Sequence, residues 1–256
     1  MLAGLLDEGV EVDVADPLLG TSAGAVVAAQ LAGGTRVEAL YERQRGGVPF
    51  EVPKGLSWRM VSAMTRDGLL ARSAEDFGRR IGRAAVDLGQ EEAGIRRRVV
   101  EVRLPTHDWG SRDVRLVVVD ADTGAHRLLS RGDDVSLVDA VMASCAIPLV
   151  WPVVPIGDHR YMDGGMRSPV NLDLAPGDGP VVALAATTRW HRWARLDDQR
   201  AALAERRDPT VLTMSPEVRR AQGRNPLSLK IVPAVAVAGR EQGRRDAALV
   251  RAIARP

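Results

Sequence analysis

Residues 20–25 read GTSAGA, and their flanks make this stretch the strongest constraint on the fold. From Val10 to Leu19 apolar residues first alternate with polar ones and then cluster, the pattern of a strand running into Gly20. Residues 23–32, AGAVVAAQLA, read as a buried helix stopped by Gly33 and Gly34. A strand that passes directly into a helix lifts one side chain to the apex of a tight turn, provided that the residues two positions away on each side are very small. Gly20 and Gly24 fill those positions, and Ser22 takes the apex. The helix that follows aims its N-terminus at the serine, where unpaired N–H groups and the dipole favour negative charge. The backbone N–H of Ala23 is then the natural first donor to an oxyanion. Chance alone yields GxSxG about 0.1 times in a chain of this composition, so the stretch gains weight from its placement and its partners.

The rest of the chain alternates strand and helix signals. Residues 98–104 and 114–120 look like strands, and the turn residues of DADTGA suit a hairpin leading into a strand over 126–130. Residues 136–147 have helical spacing and stop before Pro148, while the apolar runs 181–186 and 211–214 have the look of buried parallel strands around a polar helix. Helical patches are expected near 36–45 and 73–93, with the turn-rich GGVPFEVPKG between them, and the last 30 residues read as a closing helix. This order predicts an α/β fold, a three-layer α/β/α sandwich with a mostly parallel central sheet, in a single domain over residues 1–256.

Composition narrows the function classes. The formal net charge is +2, and Lys54 and Lys230 are the sole lysines among 35 basic residues, so there is no concentrated basic tail and nucleic acid is not the expected partner. Cys145 stands alone, which excludes an intramolecular disulfide and a cysteine zinc cage. No HExxH or comparable metal spacing occurs, and no cofactor is implied. No apolar run approaches the roughly 18 residues of a spanning helix, so the chain reads as soluble and untargeted, with a cytoplasmic location expected.

A serine hydroxyl needs a base. His159, in IGDHRY, and His191, in RWHRWAR, are the histidines placed to return to the same sheet edge, and either would make this a histidine-dependent α/β-hydrolase. Asp163, in YMDGGMRSPVN, is the stronger candidate, although an aspartate before two glycines is also a common turn.

Four stretches in order, GTSAGA (20–25), VVVDADTGAHRLLS, ASCAIPLVWPVVPIG (143–157) and YMDGGMRSPVN (161–171), resemble the patatin-like acyl hydrolase family. The resemblance extends from Met1 to about residue 190. It implies a catalytic dyad without histidine, Ser22 as nucleophile and Asp163 as base, acting on phospholipids, lysophospholipids or neutral acylglycerols through an acyl-enzyme. Partial desolvation would raise the basicity of Asp163, and Gly164 and Gly165 would let backbone approach the serine closely. Ser144 and Cys145 are expected to serve packing. Members of the family begin with a strand and a GGGxRG segment that supplies much of the oxyanion hole, whereas MLAGLLDEG aligns with the helix that follows it. The single patatin-like domain is therefore expected to be N-terminally incomplete, through a start placed too late, and the polypeptide as written to be weakly active or inactive. A degenerate hydrolase fold serving as a noncatalytic interaction or regulatory protein is the rival reading. Trp190 and Trp193, interleaved with Arg189, Arg192 and Arg195, and the run Arg96 to Arg98, are either a solvated face or a peripheral contact with an anionic membrane.

Overall fold

A computed structural model of the 256-residue chain describes residues 1–47, 58–86, 93–187, 193–223, 225 and 228–254. In chain order its elements are α1 (Leu2–Asp7), β1 (Leu18–Thr21), α2 (Ala23–Ala32), α3 (Val37–Arg45), α4 (Trp58–Leu70), α5 (Ala74–Val86), α6 (Ala93–Arg103), β2 (Val114–Asp120), β3 (His126–Leu129), α7 (Leu137–Ser144), β4 (Val154–Ile156), β5 (His159–Asp163), β6 (Val182–Ala185), α8 (Leu196–Ala204), β7 (Thr210–Thr213), α9 (Pro216–Gln222) and α10 (Val232–Ala254).

The centre is β2, VRLVVVD, in which every residue but Arg115 is buried. A strand buried on both faces needs helices on both, and its side chains divide accordingly. Val114, Leu116 and Val118 join one apolar cluster with α2, α6 and α7, while Val119 points the opposite way into a cluster built by α4 and α5. Tyr161 and Met162 of β5 divide between the same two clusters. The α/β class and the three layers expected from the sequence are thus present. Parallel pairing is carried by β1–β2 and β6–β7. Short hairpin turns connect β2 to β3 and β4 to β5, which makes those two pairings antiparallel, and β5 also joins β2 antiparallel.

Two sequence expectations fail for identifiable reasons. The strand expected over residues 10–19 is confined to its end: Val12–Val14 form a 3₁₀ turn, and Pro17, which has no N–H to give a ladder, directly precedes β1. Val10 and Val12 instead pack with Leu5, Leu212 and Ala247, beside the β6–β7 pair. Residues 98–104, expected as a strand, belong almost entirely to helix α6. Their valines carry a strand propensity, but Val100 and Leu104 bury themselves with α7 against the sheet, and that packing overrides the local preference. Most of GGVPFEVPKG lies outside the described residues.

Candidate active site

The pairing register of β2 creates the site. β1 runs parallel to β2 and ends at Thr21, opposite Val117; β5 runs antiparallel along the same edge and ends at Asp163, opposite Val118. The two strands approach head-on from opposite directions, and the next residue of one meets the last residue of the other. Ser22 Oγ consequently donates a hydrogen bond to Asp163 Oδ2 at 2.6 Å, across 141 residues of sequence. That length is typical of an O–H donor facing a carboxylate.

Ser22 sits at φ 54° and ψ −124°, a conformation that costs a non-glycine residue roughly 1–3 kcal/mol and persists only where its surroundings impose it. Three hydrogen bonds do so. The Ser22 N–H donates to Ser144 Oγ at 3.1 Å, and the Ser22 carbonyl accepts from the Cys145 thiol at 3.1 Å and from the Ala25 N–H at 2.8 Å. Ser144 is itself fixed by donating to the Val117 carbonyl at 2.8 Å, which ties the turn to the middle of β2. Ser144 and Cys145, read from the sequence as packing residues, are therefore clamps on the backbone of the turn. Their only sequence signal was their place in ASCAIP, just before a helix end.

The two flanking glycines differ. A Cβ at Gly20 would stand 2.5 Å from the Ala25 Cα, so β1 and α2 can meet only if nothing projects there. A Cβ at Gly24 would meet nothing within 4 Å, and Gly24 lies exposed with Ala23 at the start of α2. The expectation that both positions must be small holds for Gly20 alone among the described contacts. Gly164 and Gly165 also depart from expectation: the close approaches they permit are to the Val117 carbonyl, at 2.4 Å from a Cβ on Gly164, and to Asp163 Oδ1, at 2.9 Å from one on Gly165, rather than to the serine.

Asp163 is 2% exposed. Its Oδ1 accepts the Gly165 N–H at 2.7 Å and its own N–H donates to the Ala146 carbonyl at 3.0 Å, so both ends of the residue are fixed. Burial pushes its pKa up to about 6, against the opposing pull of the Ser22 and Gly165 hydrogen bonds and the charge of Arg96. Asn171, fully buried in a left-handed conformation at φ 53°, closes the loop behind it: its Nδ2 donates to Thr21 Oγ1, Gly164 O and Ser168 O. The sequence contained Asn171 within the YMDGGMRSPVN stretch but gave no sign that it bridges to β1.

The histidine candidates stand apart. His159 begins β5, at the opposite end from Asp163, and its Nδ1 lies 2.8 Å from Asp120 Oδ2. His191 and Trp190 lie outside the described residues. Trp193 stacks on Phe77 with ring centroids 5.8 Å apart, in the cluster beneath α4 and α5. Among the described residues no helix is long and apolar enough to cross a membrane.

A serine held on a strained strand-to-helix turn, hydrogen-bonded to a buried carboxylate at the edge of an α/β sheet, defines a class: hydrolase folds built around a nucleophile elbow. Within that class the chain belongs to the patatin-like phospholipase family, whose model matches residues 1–176 and so takes in both the serine turn and the Asp163 loop. Membership supports hydrolysis of ester bonds, with lipid esters as the substrate class. Among curated proteins none matches the chain.

Proposed function

We propose that the chain is a lipid acyl hydrolase, working as a single patatin-like domain, in which Ser22 is the nucleophile and Asp163 the general base. The carrying observation is the 2.6 Å hydrogen bond from the Ser22 hydroxyl to a carboxylate that burial makes unusually basic. As Asp163 accepts the hydroxyl proton, Ser22 Oγ attacks the ester carbonyl, and the resulting oxyanion faces the first turn of α2, where the Ala23 N–H has no intrahelical partner. Collapse of the intermediate expels the alcohol, which takes the proton from Asp163 and leaves an acyl group on Ser22. Water then delivers a proton to Asp163 and its oxygen to the acyl carbon; the second collapse returns the proton to Ser22 and releases the fatty acid. With a pKa of about 6 the carboxylate is mostly ionised at neutral pH yet far more basic than an exposed aspartate.

In that scheme the Ala23 amide and the α2 dipole stabilise the oxyanion, and a donor of this kind is typically worth on the order of a hundredfold to a thousandfold in rate. Peripheral contact with a lipid surface belongs to the same reading, supported by the exposed Trp58, Val61 and Leu69 of α4, a helix whose inner residue Met60 packs on Trp151 and Val150.

Hydrolysis of a short-chain p-nitrophenyl ester tests the assignment. Turnover is expected, abolished in Ser22→Ala and in Asp163→Asn and retained in His159→Ala. Hydrolysis that survives Ser22→Ala would overturn the proposal, and loss in His159→Ala alone would restore the histidine-dependent alternative. A chain with no turnover at all leaves the noncatalytic scaffold as the better account.

A further inference from the structure

Three buried polar side chains, Ser168, Asn171 and Gln199, lead from the Asp163 loop to helix α8, which lies outside residues 1–176, the span of the family match. Gln199 holds the chain on both sides of Asn171. Its Oε1 accepts the Leu172 N–H at 2.7 Å, and its Nε2 donates to Ser168 Oγ at 2.7 Å and to the Ala194 carbonyl. Ser168 Oγ in turn accepts the Asn171 N–H at 3.2 Å. A glutamine is costly to bury unless its amide finds partners, and here both ends of the amide are bonded. The left-handed turn at Asn171, which asparagine tolerates without favouring, is thereby fixed from outside the loop.

Asn171 carries that constraint to both halves of the dyad. Its Nδ2 donates to Thr21 Oγ1 at 3.1 Å, one residue before Ser22, and to the Gly164 carbonyl at 3.2 Å. That carbonyl belongs to the peptide unit whose N–H, on Gly165, donates to Asp163 Oδ1 at 2.7 Å. The Arg167 N–H at 3.1 Å and the Ser168 N–H at 3.4 Å reach the same carbonyl. Donors gathered at the carbonyl end of a peptide polarise it and strengthen the N–H at its other end, so Asn171 both orients the Gly165 N–H and tightens its hold on the carboxylate. With Oδ1 held by Gly165, Oδ2 is the atom left to face Ser22 Oγ at 2.6 Å. Of the charged groups around this path, Arg96 of α6 acts on the Asp163 carboxylate, and Arg167, which donates to Asn171 Oδ1, is paired with Asp173.

We propose that Asn171 and Gln199 are positioning residues for the reaction: Gln199 fixes Asn171 from α8, and Asn171 aims the Asp163 carboxylate at Ser22 through the Gly164–Gly165 peptide. The part of the chain beyond the family match then completes the site instead of merely covering it. The inference rests on the reading of Ser22 as nucleophile and Asp163 as its base.

Fluorophosphonate modification of Ser22 in the full chain tests it, followed by intact mass under conditions where each variant is fully folded. Asn171→Gly keeps a residue suited to the left-handed turn and deletes the amide, while Gln199→Leu keeps most of the bulk and deletes the other amide. At about pH 8 the rate is expected to fall about thirtyfold in Asn171→Gly and about tenfold in Gln199→Leu, with the double variant no slower than Asn171→Gly because Gln199 works through Asn171. In Asn171→Gly the midpoint of the pH profile should also rise from near 6 by about half a pH unit, since a weaker Gly165 N–H favours the protonated carboxyl. A purely structural role would lower stability and leave the rate and midpoint of the folded chain unchanged, and that result overturns the inference. Losses that multiply in the double variant, to roughly three-hundredfold, overturn the path from Gln199 through Asn171. For a variant that does not fold, NMR titration of the unsubstituted chain takes its place: the Asn171 side-chain amide should shift together with the Gly165 N–H as Asp163 ionises, and an Asn171 amide that stays fixed while Gly165 moves overturns the inference as well. Labelling untouched by either substitution defeats the positioning and leaves the dyad standing, whereas an unsubstituted chain that is not labelled at Ser22 defeats both.

Discussion

In the proposed mechanism Asp163 couples catalysis and stability with opposite signs. In the unfolded chain its carboxyl titrates near the ordinary value of 3.8; in the fold it titrates near 6. A raised carboxylate pKa means that the folded state holds the proton more tightly, so the stability this group contributes is intact below about pH 4 and falls as pH rises to 6. Above that the ionised carboxylate costs on the order of 3 kcal/mol. Asp163→Asn keeps the shape and an acceptor for the Gly165 N–H but removes the charge. It is expected to be more stable than the unsubstituted chain at neutral pH, by a margin that shrinks toward zero as the pH is lowered from 6 to about 4. Urea denaturation across that range measures it, and a margin constant with pH would contradict the buried, basic carboxylate. The same group should give ester hydrolysis a rising limb with its midpoint near pH 6, so the chain is least stable where it is most active.

At the scale of elements, the turn that carries Ser22 was legible because its signals are local: an apolar strand, small residues and an apolar helix within about a dozen positions. The same local reading overstated symmetry. Gly20 is pressed against the Ala25 backbone, which cannot yield, while Gly24 faces open space. Gly20→Ala is expected to destabilise the fold by about 3 kcal/mol or more and to abolish activity, whereas Gly24→Ala, which replaces glycine near a helix start, should shift stability by no more than about 1 kcal/mol. Thermal denaturation of the two variants reads the difference directly, and equal losses would show that the turn is constrained otherwise. Helix α6 was misread because its valines carry a strand preference that only the neighbouring α7 and the sheet can outweigh. The clamps Ser144 and Cys145 were invisible for a related reason, since their partners lie 122 and 123 residues away.

At the scale of the whole molecule, the pairing of Ser22 with Asp163 depends on a feature no short stretch contains. β1 and β5 share one edge of β2, and consecutive residues of β2, Val117 and Val118, set where each must stop. The serine turn and the aspartate loop were each readable, and the family resemblance supplied their partnership, but the register that delivers it emerges only when β2 is buried between α2, α6 and α7 on one face and α4 and α5 on the other. Asn171 reinforces that closure by joining the Asp163 loop to Thr21 at the end of β1. The central claim is that this closure makes Ser22 a nucleophile with Asp163 as its base. The rate at which a fluorophosphonate probe modifies the chain, followed by intact mass from about pH 4.5 to 8, tests it most directly. The account predicts a single adduct on Ser22, a rate that rises through a midpoint near pH 6, and a loss in Asp163→Asn on the order of a hundredfold or more. Labelling of Ser22 at a rate independent of pH, or as fast in Asp163→Asn as in the unsubstituted chain, would contradict it.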